Sequence, residues 1–244
     1  MSGIGHASGG DLMYANIVAG KFASLVEKSV AEDSSGNLLP NYRKRVNKND
    51  VTVWEYIFDS VSGIVDRFEI RDTPLGDQVT LSVKFDAGGT QTIVSIGFNA
   101  FNESGTMTSY AASIGDQIGL VDFTKELKIA LSKKSGKVRG VALEQGGIYI
   151  PNSKDNAVFA EHIKERPAPS KTQNIKGDDV WNWEAPSKWQ YEQILAGIQR
   201  LQTQGVGGGV PEKESVAPPV METADESLGD VPNIDAEAVP ATPF

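Results

Sequence analysis

Two clusters of positive side chains, one of them beside aromatic residues, are the parts of this sequence whose residue types could do chemistry. The first, YRKRVNK at 42–48, carries four cations and no acid and directly precedes an aromatic-rich segment at 51–58. Cations can bind phosphates, and exposed rings can stack unpaired bases at about 1–3 kcal/mol per base. The candidate residues of this first basic cluster are Tyr42, Arg43, Lys44, Arg45 and Lys48, with Trp54 and Tyr56 as stacking rings.

The second basic cluster lies at 125–139, where six cations stand against the single acid Glu126. Both clusters also fit an ordinary explanation, because large aromatic residues are usually buried and charge runs are usually solvated surface. The candidate phosphate contacts of the second cluster are Lys128, Lys133, Lys134, Lys137 and Arg139.

The segment at 51–70 must position the rings, and its composition predicts a β-hairpin. Two runs rich in Val, Ile, Trp, Tyr and Phe flank turn-forming residues at 60–63. Strand alternation places Trp54, Tyr56 and Phe58 on one face and Val53, Glu55 and Ile57 on the other. One face could therefore build a core while the other meets a ligand.

The rest of the chain up to residue 204 is predicted to be mainly β-structure with two helices. We expect strands at 17–27, 77–86, 91–98, 126–131, 138–143 and 148–150. A change of period predicts a short helix between Asn102 and Gly115. An amphipathic helix is predicted at 187–203, opened by a capping box from Ser187 to Gln190. Its apolar stripe needs a partner, either its own domain or another protein.

The net charge of −9 is concentrated in one terminal segment. Residues 205–244 hold eight acids against one lysine, a net −7, which leaves −2 for the rest of the chain. That segment also contains six of the twelve prolines and few large apolar residues, so we expect it to be disordered. The expected organisation is a flexible stretch at 1–16, a domain at 17–204 and an acidic tail at 205–244. The acidity of the whole chain therefore does not exclude a polyanionic partner.

The chain contains no cysteine, which excludes disulfides, thiol nucleophiles and cysteine-based zinc sites. No apolar run reaches the roughly 18 residues of a membrane span, and residues 1–10 lack the pattern of a signal peptide. We therefore expect a protein of the cytoplasm, or of the host cytoplasm if it is viral, with no membrane partner.

Short strands, a helix between strand groups and an acidic tail ending in Pro243 and Phe244 together resemble OB-fold single-stranded-DNA-binding proteins, especially those of bacterial viruses. The resemblance implies an OB-like five-stranded barrel with extra hairpins. It also implies sequence-independent coating of unpaired DNA during replication, recombination or repair. Replication or repair proteins would be recruited through Pro243 and Phe244, and homo-oligomers could form. We also expect the acidic tail, with its net charge of −7, to occupy the cationic groove when DNA is absent and so to be autoinhibitory. The tail departs from the family's pattern, because residues 238–244 contain no acid.

The sequence is also compatible with two other classes of function. Acids at Asp59, Asp66, Glu69, Asp72 and Asp77 lie close in sequence, as the carboxylates of a metal-dependent nuclease would. They fall at strand ends and on solvent-facing positions, where acids are ordinary. A viral structural or assembly protein could also use the sheet for protein contacts. We expect a binding protein that is not an enzyme and that needs no cofactor or metal.

Overall fold

The computed structural model describes residues 12–47, 49–74, 76–87, 90–150, 157–173 and 177–204, and β-strands dominate them. The strands are β1 (Leu12–Val18), β2 (Lys21–Val26), β3 (Tyr42–Val46), β4 (Thr52–Phe58), β5 (Ser60–Thr73), β6 (Gly76–Ala87), β7 (Thr90–Asn99), β8 (Leu127–Lys134), β9 (Lys137–Gln145), β10 (Ile148–Tyr149), β11 (Ser170–Gln173) and β12 (Asp179–Asn182). The helices are α1 (Lys28–Ala31), α2 (Ser109–Ile118), α3 (Ala157–Lys164) and α4 (Glu184–Thr203).

Ten of these strands form one large mixed sheet in the order β10-β9-β8-β5-β6-β7-β1-β2-β4-β3. The pair β1–β7 is parallel and the other neighbours are antiparallel. The prediction of a mainly β protein is confirmed. The predicted five-stranded barrel differs from this arrangement, because within the described part of the chain the ladder ends at β10 and at β3 and does not close. Hairpins extend the sheet outward on both sides.

The predicted hairpin at 51–70 is wrong, because β4 and β5 do not pair with each other. They form an almost continuous extended segment interrupted at Asp59, whose backbone oxygen accepts a hydrogen bond from Leu131 N. β4 pairs with β2 and β3, whereas β5 pairs with β8 through its first residues and with β6 through the rest. A turn composition at 60–63 was therefore outweighed by pairing with strands far away in sequence.

β5 changes its pairing partner from β8 to β6 after Gly63, and this changeover requires a glycine. A β-carbon built there would lie 2.4 Å from the backbone oxygen of Lys84. β6 and β5 thus approach more closely at this point than any side chain allows.

The N-terminal part of the sheet is a hairpin, where we predicted a single strand at 17–27. Ala19 and Gly20 adopt positive φ angles of 50° and 72° and turn β1 back into β2. β1 begins at Leu12, so it includes residues of the segment 1–16 that was expected to be flexible. The other predicted hairpins, β6–β7 and β8–β9, are confirmed.

Alternation gives the sheet two different faces. The core face carries fully buried apolar side chains such as Phe22, Leu81, Ile96 and Ile129, and Ile194 of α4 belongs to the same core. The opposite face, here called the outer face, carries mostly polar and charged side chains together with a few apolar ones.

Helix α2 begins later than predicted. Thr108, rather than Ser104 or Asn102, accepts the capping hydrogen bond, from Ala111 N, while Asn102 organises the preceding turn. Gly115 lies inside the helix instead of ending it. Gly115 allows α2 and α4 to pack closely, because a β-carbon at this position would lie 2.6 Å from the backbone oxygen of Gln190.

Helix α4 docks on its own domain, as one of the two alternatives predicted. It starts three residues before Ser187, with Pro186 in the first turn, where a missing N–H costs nothing. The predicted capping box does not form. The Ser187 hydroxyl instead accepts a hydrogen bond from Met107 N, and the Gln190 amide donates to Asp116. Within the described ranges, no helix combines the length and the apolar character needed to cross a membrane.

Candidate nucleic-acid interface

The pairing of β3 with β4 separates the first basic cluster onto two faces. Tyr42 lies opposite Tyr56 and Lys44 opposite Trp54, all on the core face. Arg43 and Arg45 point to the outer face, together with Glu55. Among these three cations, only Lys44 lies on the same face as the rings, and Arg43 and Arg45 lie on the opposite face.

The rings of the core face differ in their accessibility. Tyr56 is only 4% exposed and contacts Tyr42 and Phe58, with ring centroids at 5.2 and 5.8 Å. Burial raises the pKa of Tyr42 and of Tyr56 above the ordinary value of 10.0. Tyr56 is therefore a core residue and not a stacking platform, whereas half-buried Tyr42 and Phe58 keep part of their rings accessible.

Trp54 is the ring best placed to meet a ligand. It is half-buried, and its indole N–H donates to Glu32 Oε1 at 2.6 Å, which fixes the orientation of the ring. The Lys44 and Lys28 ammonium groups lie 5.5 and 5.8 Å from the ring centroid. This distance is that of a cation–π contact. Lys28, from α1, is a cation of the site that sequence reasoning missed, because nothing local links residues 28 and 54.

Glu55 forms salt bridges with both Arg43 and Arg45 on the outer face. The carboxylate is 1% exposed and accepts from Arg43 Nε at 2.6 Å and from Arg45 Nε at 2.7 Å. Arg43 also donates to the backbone oxygen of Val18 at 3.0 Å. These two arginines hold β3, β4 and β1 together, in addition to any role toward a ligand.

The second basic cluster lies along the β8–β9 hairpin. Lys128 pairs with Glu144 at 2.9 Å, and Lys133 with Asp59 at 3.1 Å. Lys134, Lys137 and Arg139 are exposed around the turn. Hereafter this end of the hairpin, residues 133–139, is called the basic tip.

Asp59 brings the basic tip to the end of β4. It accepts hydrogen bonds from Lys21 of β2 and from Lys133 of β8, and these bonds hold its pKa below the ordinary value. The neighbouring residue, Phe58, lies on the core face with Trp54. Lys21 is a second cation that sequence reasoning missed, since only the fold places it beside Asp59.

Three half-buried rings lie along β3 and β4 with cations near both ends. We call this arrangement the aromatic track. From Trp54 to Asp59 the track spans about 17 Å of strand. Its rings are Trp54, Tyr42 and Phe58, and Lys28 and Lys44 lie at one end of it. At the other end, Asp59 follows β4 and holds Lys133 of the basic tip together with Lys21, which alternates with buried Phe22 and so comes from the outer face. Rings between cations can hold bases and phosphates of one strand at the same time.

Several predicted features lie outside the described residues. They are Lys48, the partner-binding residues Pro243 and Phe244, and the whole acidic tail at 205–244.

Two of the acids considered for a nuclease are already engaged by cations, Asp59 by two lysines and Glu69 by Arg67 and Arg71. In the part of the chain that the structure describes, no group of three His, Cys, Asp or Glu side chains could hold a metal ion.

Comparison with known proteins gave no relatives: no family model, no curated protein and no solved structure matches this chain.

Proposed function

We propose that this protein binds single-stranded DNA without sequence preference, and so coats unpaired DNA during replication, recombination or repair. The observation that carries the proposal is the aromatic track. Trp54 lies beneath the ammonium groups of Lys28 and Lys44, and Asp59 attaches the basic tip to the other end of the same strand. Such a site needs no bond-making chemistry.

The proposal does not depend on a closed barrel. An open sheet presents the same alternating side chains as a barrel wall, and half-buried rings at its edge remain accessible to bases. The OB-like barrel and recruitment of partner proteins through Pro243 and Phe244 stay predictions.

Fluorescence anisotropy with a labelled oligo-dT across a salt series tests the proposal directly. We expect strong binding at low salt that weakens steeply, by a slope of about −0.7 per neutralised phosphate. The variant K134A/K137A/R139A, which removes three exposed cations of the basic tip, should reduce that slope by up to about 2.

The matched control removes three exposed lysines outside both basic clusters, as K164A/K171A/K188A. An equal loss of slope in both variants would show that only net charge matters and would contradict the track. Failure of the wild-type protein to bind oligo-dT at low salt would overturn the function itself. Release of nucleotides on addition of Mg²⁺ would favour the nuclease alternative.

The ring contribution is tested with Trp54→Ala against Trp181→Ala. Trp181 is an exposed tryptophan on the separate β11–β12 hairpin, with Lys171 also 5.3 Å from its ring centroid. Loss of one stacking platform should weaken binding at least about fivefold in the first variant. The second variant should bind as the wild type does.

A further inference from the structure

The outer face of the sheet carries a second set of cations, on the opposite side from the aromatic track. Arg67, Glu69 and Arg71 of β5 face outward, because they pair with Ser82, Thr80 and Gln78 of β6 on that side. Arg43, Glu55 and Arg45 share the same face at the far end of the ladder.

These residues form two groups of the same composition, each with one glutamate between two arginines. Glu55 accepts from the Nε atoms of Arg43 and Arg45 at 2.6 and 2.7 Å. Glu69 accepts from Arg71 Nε at 2.5 Å and lies 3.8 Å from Arg67 Nη1. Each group has a net charge of +1.

The carboxylate in each group orients guanidinium groups without using all of their donors. A guanidinium has five N–H groups in a planar fork, and the contacts described for each of these arginines use one or two of its nitrogens, so further donors can bind an anion. Their side chains are between 22% and 38% exposed, so a ligand can reach them.

Exposed apolar side chains lie between the two arginine groups. Leu12 and Tyr14 of β1 are 43% and 37% exposed, and Leu25 of β2 is 44% exposed. All three point outward, since their neighbours Met13, Ala15 and Ser24 are buried. Leu25 lies directly opposite Glu55 in the β2–β4 pairing.

Tyr14 also connects the centre of this face with the second arginine group. Burial disfavours the charged form of Arg71, but interactions with Glu69 and with Tyr14 outweigh it and raise its pKa. Tyr14 is on β1 and Arg71 on β5, with β6 and β7 between them in the sheet.

The floor beneath them consists of small hydroxyl side chains that are buried although they face outward. Ser82 and Ser95 are hydrogen-bonded to each other at 3.0 Å. The Thr80 hydroxyl, only 3% exposed, has no hydrogen-bond partner among the described residues. The centre of the outer face therefore presents one aromatic ring and two apolar side chains above buried hydroxyl groups. An arginine group with a net charge of +1 lies on either side of this centre.

We propose that this outer face is a second binding track for the same single strand, with bases against Tyr14, Leu12 and Leu25 and phosphates on the two arginine groups. This inference rests on the proposed function. Guanidinium forks match phosphate geometry, and an exposed ring between them fits an unpaired base. A strand of sufficient length would contact both faces of the sheet by passing over its edge at β3.

The test uses the full-length protein and an oligo-dT that contains 5-bromouracil, which crosslinks to nearby aromatic rings on irradiation. Mass-spectrometric mapping should find crosslinks at Tyr14 as well as at Trp54. In anisotropy, Tyr14→Leu should weaken binding of a long oligonucleotide about tenfold, and Tyr14→Phe, which keeps the ring, should restore it. Circular dichroism melting checks that both variants fold. If Tyr14→Leu does not fold, the crosslink to Tyr14 in the wild-type protein tests the inference without any variant.

The possible outcomes separate this inference from the proposed function. Binding of oligo-dT with crosslinks at Trp54 alone and no effect of Tyr14→Leu would overturn the second track and leave the first. Crosslinks at Tyr14 alone would support the outer face and contradict the aromatic track. No binding at all would overturn both, and binding of a poly-glutamate peptide in place of the oligonucleotide would assign the outer face to an acidic protein segment.

Discussion

Glu55 shows how a single residue decides which cations of a basic run stay accessible. Its carboxylate takes the Nε donors of Arg43 and Arg45 on the outer face, while Lys44 between them points to Trp54. The run YRKRVNK therefore contributes one lysine to the aromatic track and two arginines to another surface.

Replacing Glu55 by Gln should lower the free energy of unfolding by about 2 kcal/mol, because two partly buried guanidinium groups would lose their counter-charge. Urea denaturation measures this change. The control is Glu103→Gln at an exposed turn position, which should leave the midpoint unchanged. Equal stability of the two variants would mean that the arginines pair equally well with water.

Tyr42 and Tyr56 make the stability of this edge of the sheet sensitive to alkali. Their pKa values are raised by burial, so the folded state favours the neutral phenols. Their contribution to stability is complete below the ordinary pKa of about 10 and is lost as pH rises through the higher folded values. Phenolate absorbance and circular dichroism followed above pH 10 should show late ionisation coupled to unfolding.

In Tyr42→Phe one of these late ionisations should disappear. Ionisation of both phenols at the ordinary pKa without any loss of structure would show that neither ring is buried in solution.

At the scale of elements, the organising feature is the changeover in β5, which joins the β8–β9–β10 part of the sheet to the rest. The changeover depends on the missing side chain of Gly63. Local composition suggested a turn here, and the same small residue instead allows a close approach of two backbones.

Gly63→Ala should destabilise the protein by about 1–3 kcal/mol, because the new methyl group would overlap the Lys84 backbone oxygen, which has little room to move. Thermal melting checks this prediction, with Ser62→Ala at the neighbouring half-buried position as the control. A melting temperature unchanged in Gly63→Ala would mean that β5 and β6 are further apart than described.

At the scale of the whole molecule, Asp59 connects three regions that are distant in sequence: β2 through Lys21, the β4–β5 junction, and the basic tip through Lys133. This connection holds the basic tip beside the end of β4, the strand that pairs with the first basic cluster on β3. The tip is also supported by pairing within its own hairpin and by the packing of Val138 against the core.

Asp59→Asn should free the basic tip while leaving the core folded. Hydrogen–deuterium exchange should become faster at residues 133–138 and stay unchanged at buried Leu81, and Asp72→Asn, at an exposed position, is the control. Because the pKa of Asp59 is lowered, its contacts are complete above the ordinary value of 3.8 and are lost in the wild type as pH falls through the lower folded value. Unchanged exchange in Asp59→Asn would show that the tip is held by other contacts.

The sequence by itself determined the local properties of this protein: its mainly β character, the hairpins β6–β7 and β8–β9, and the shared face of Trp54, Tyr56 and Phe58. These follow from alternation and turn chemistry, which depend only on neighbouring residues. The tertiary structure alone decided that β4 and β5 pair with other strands, that Tyr56 is buried while Trp54 is not, and that Lys21 and Lys28 join the site. Strand partners and burial depend on contacts between residues far apart in the chain, and no local pattern encodes which distant segment supplies them.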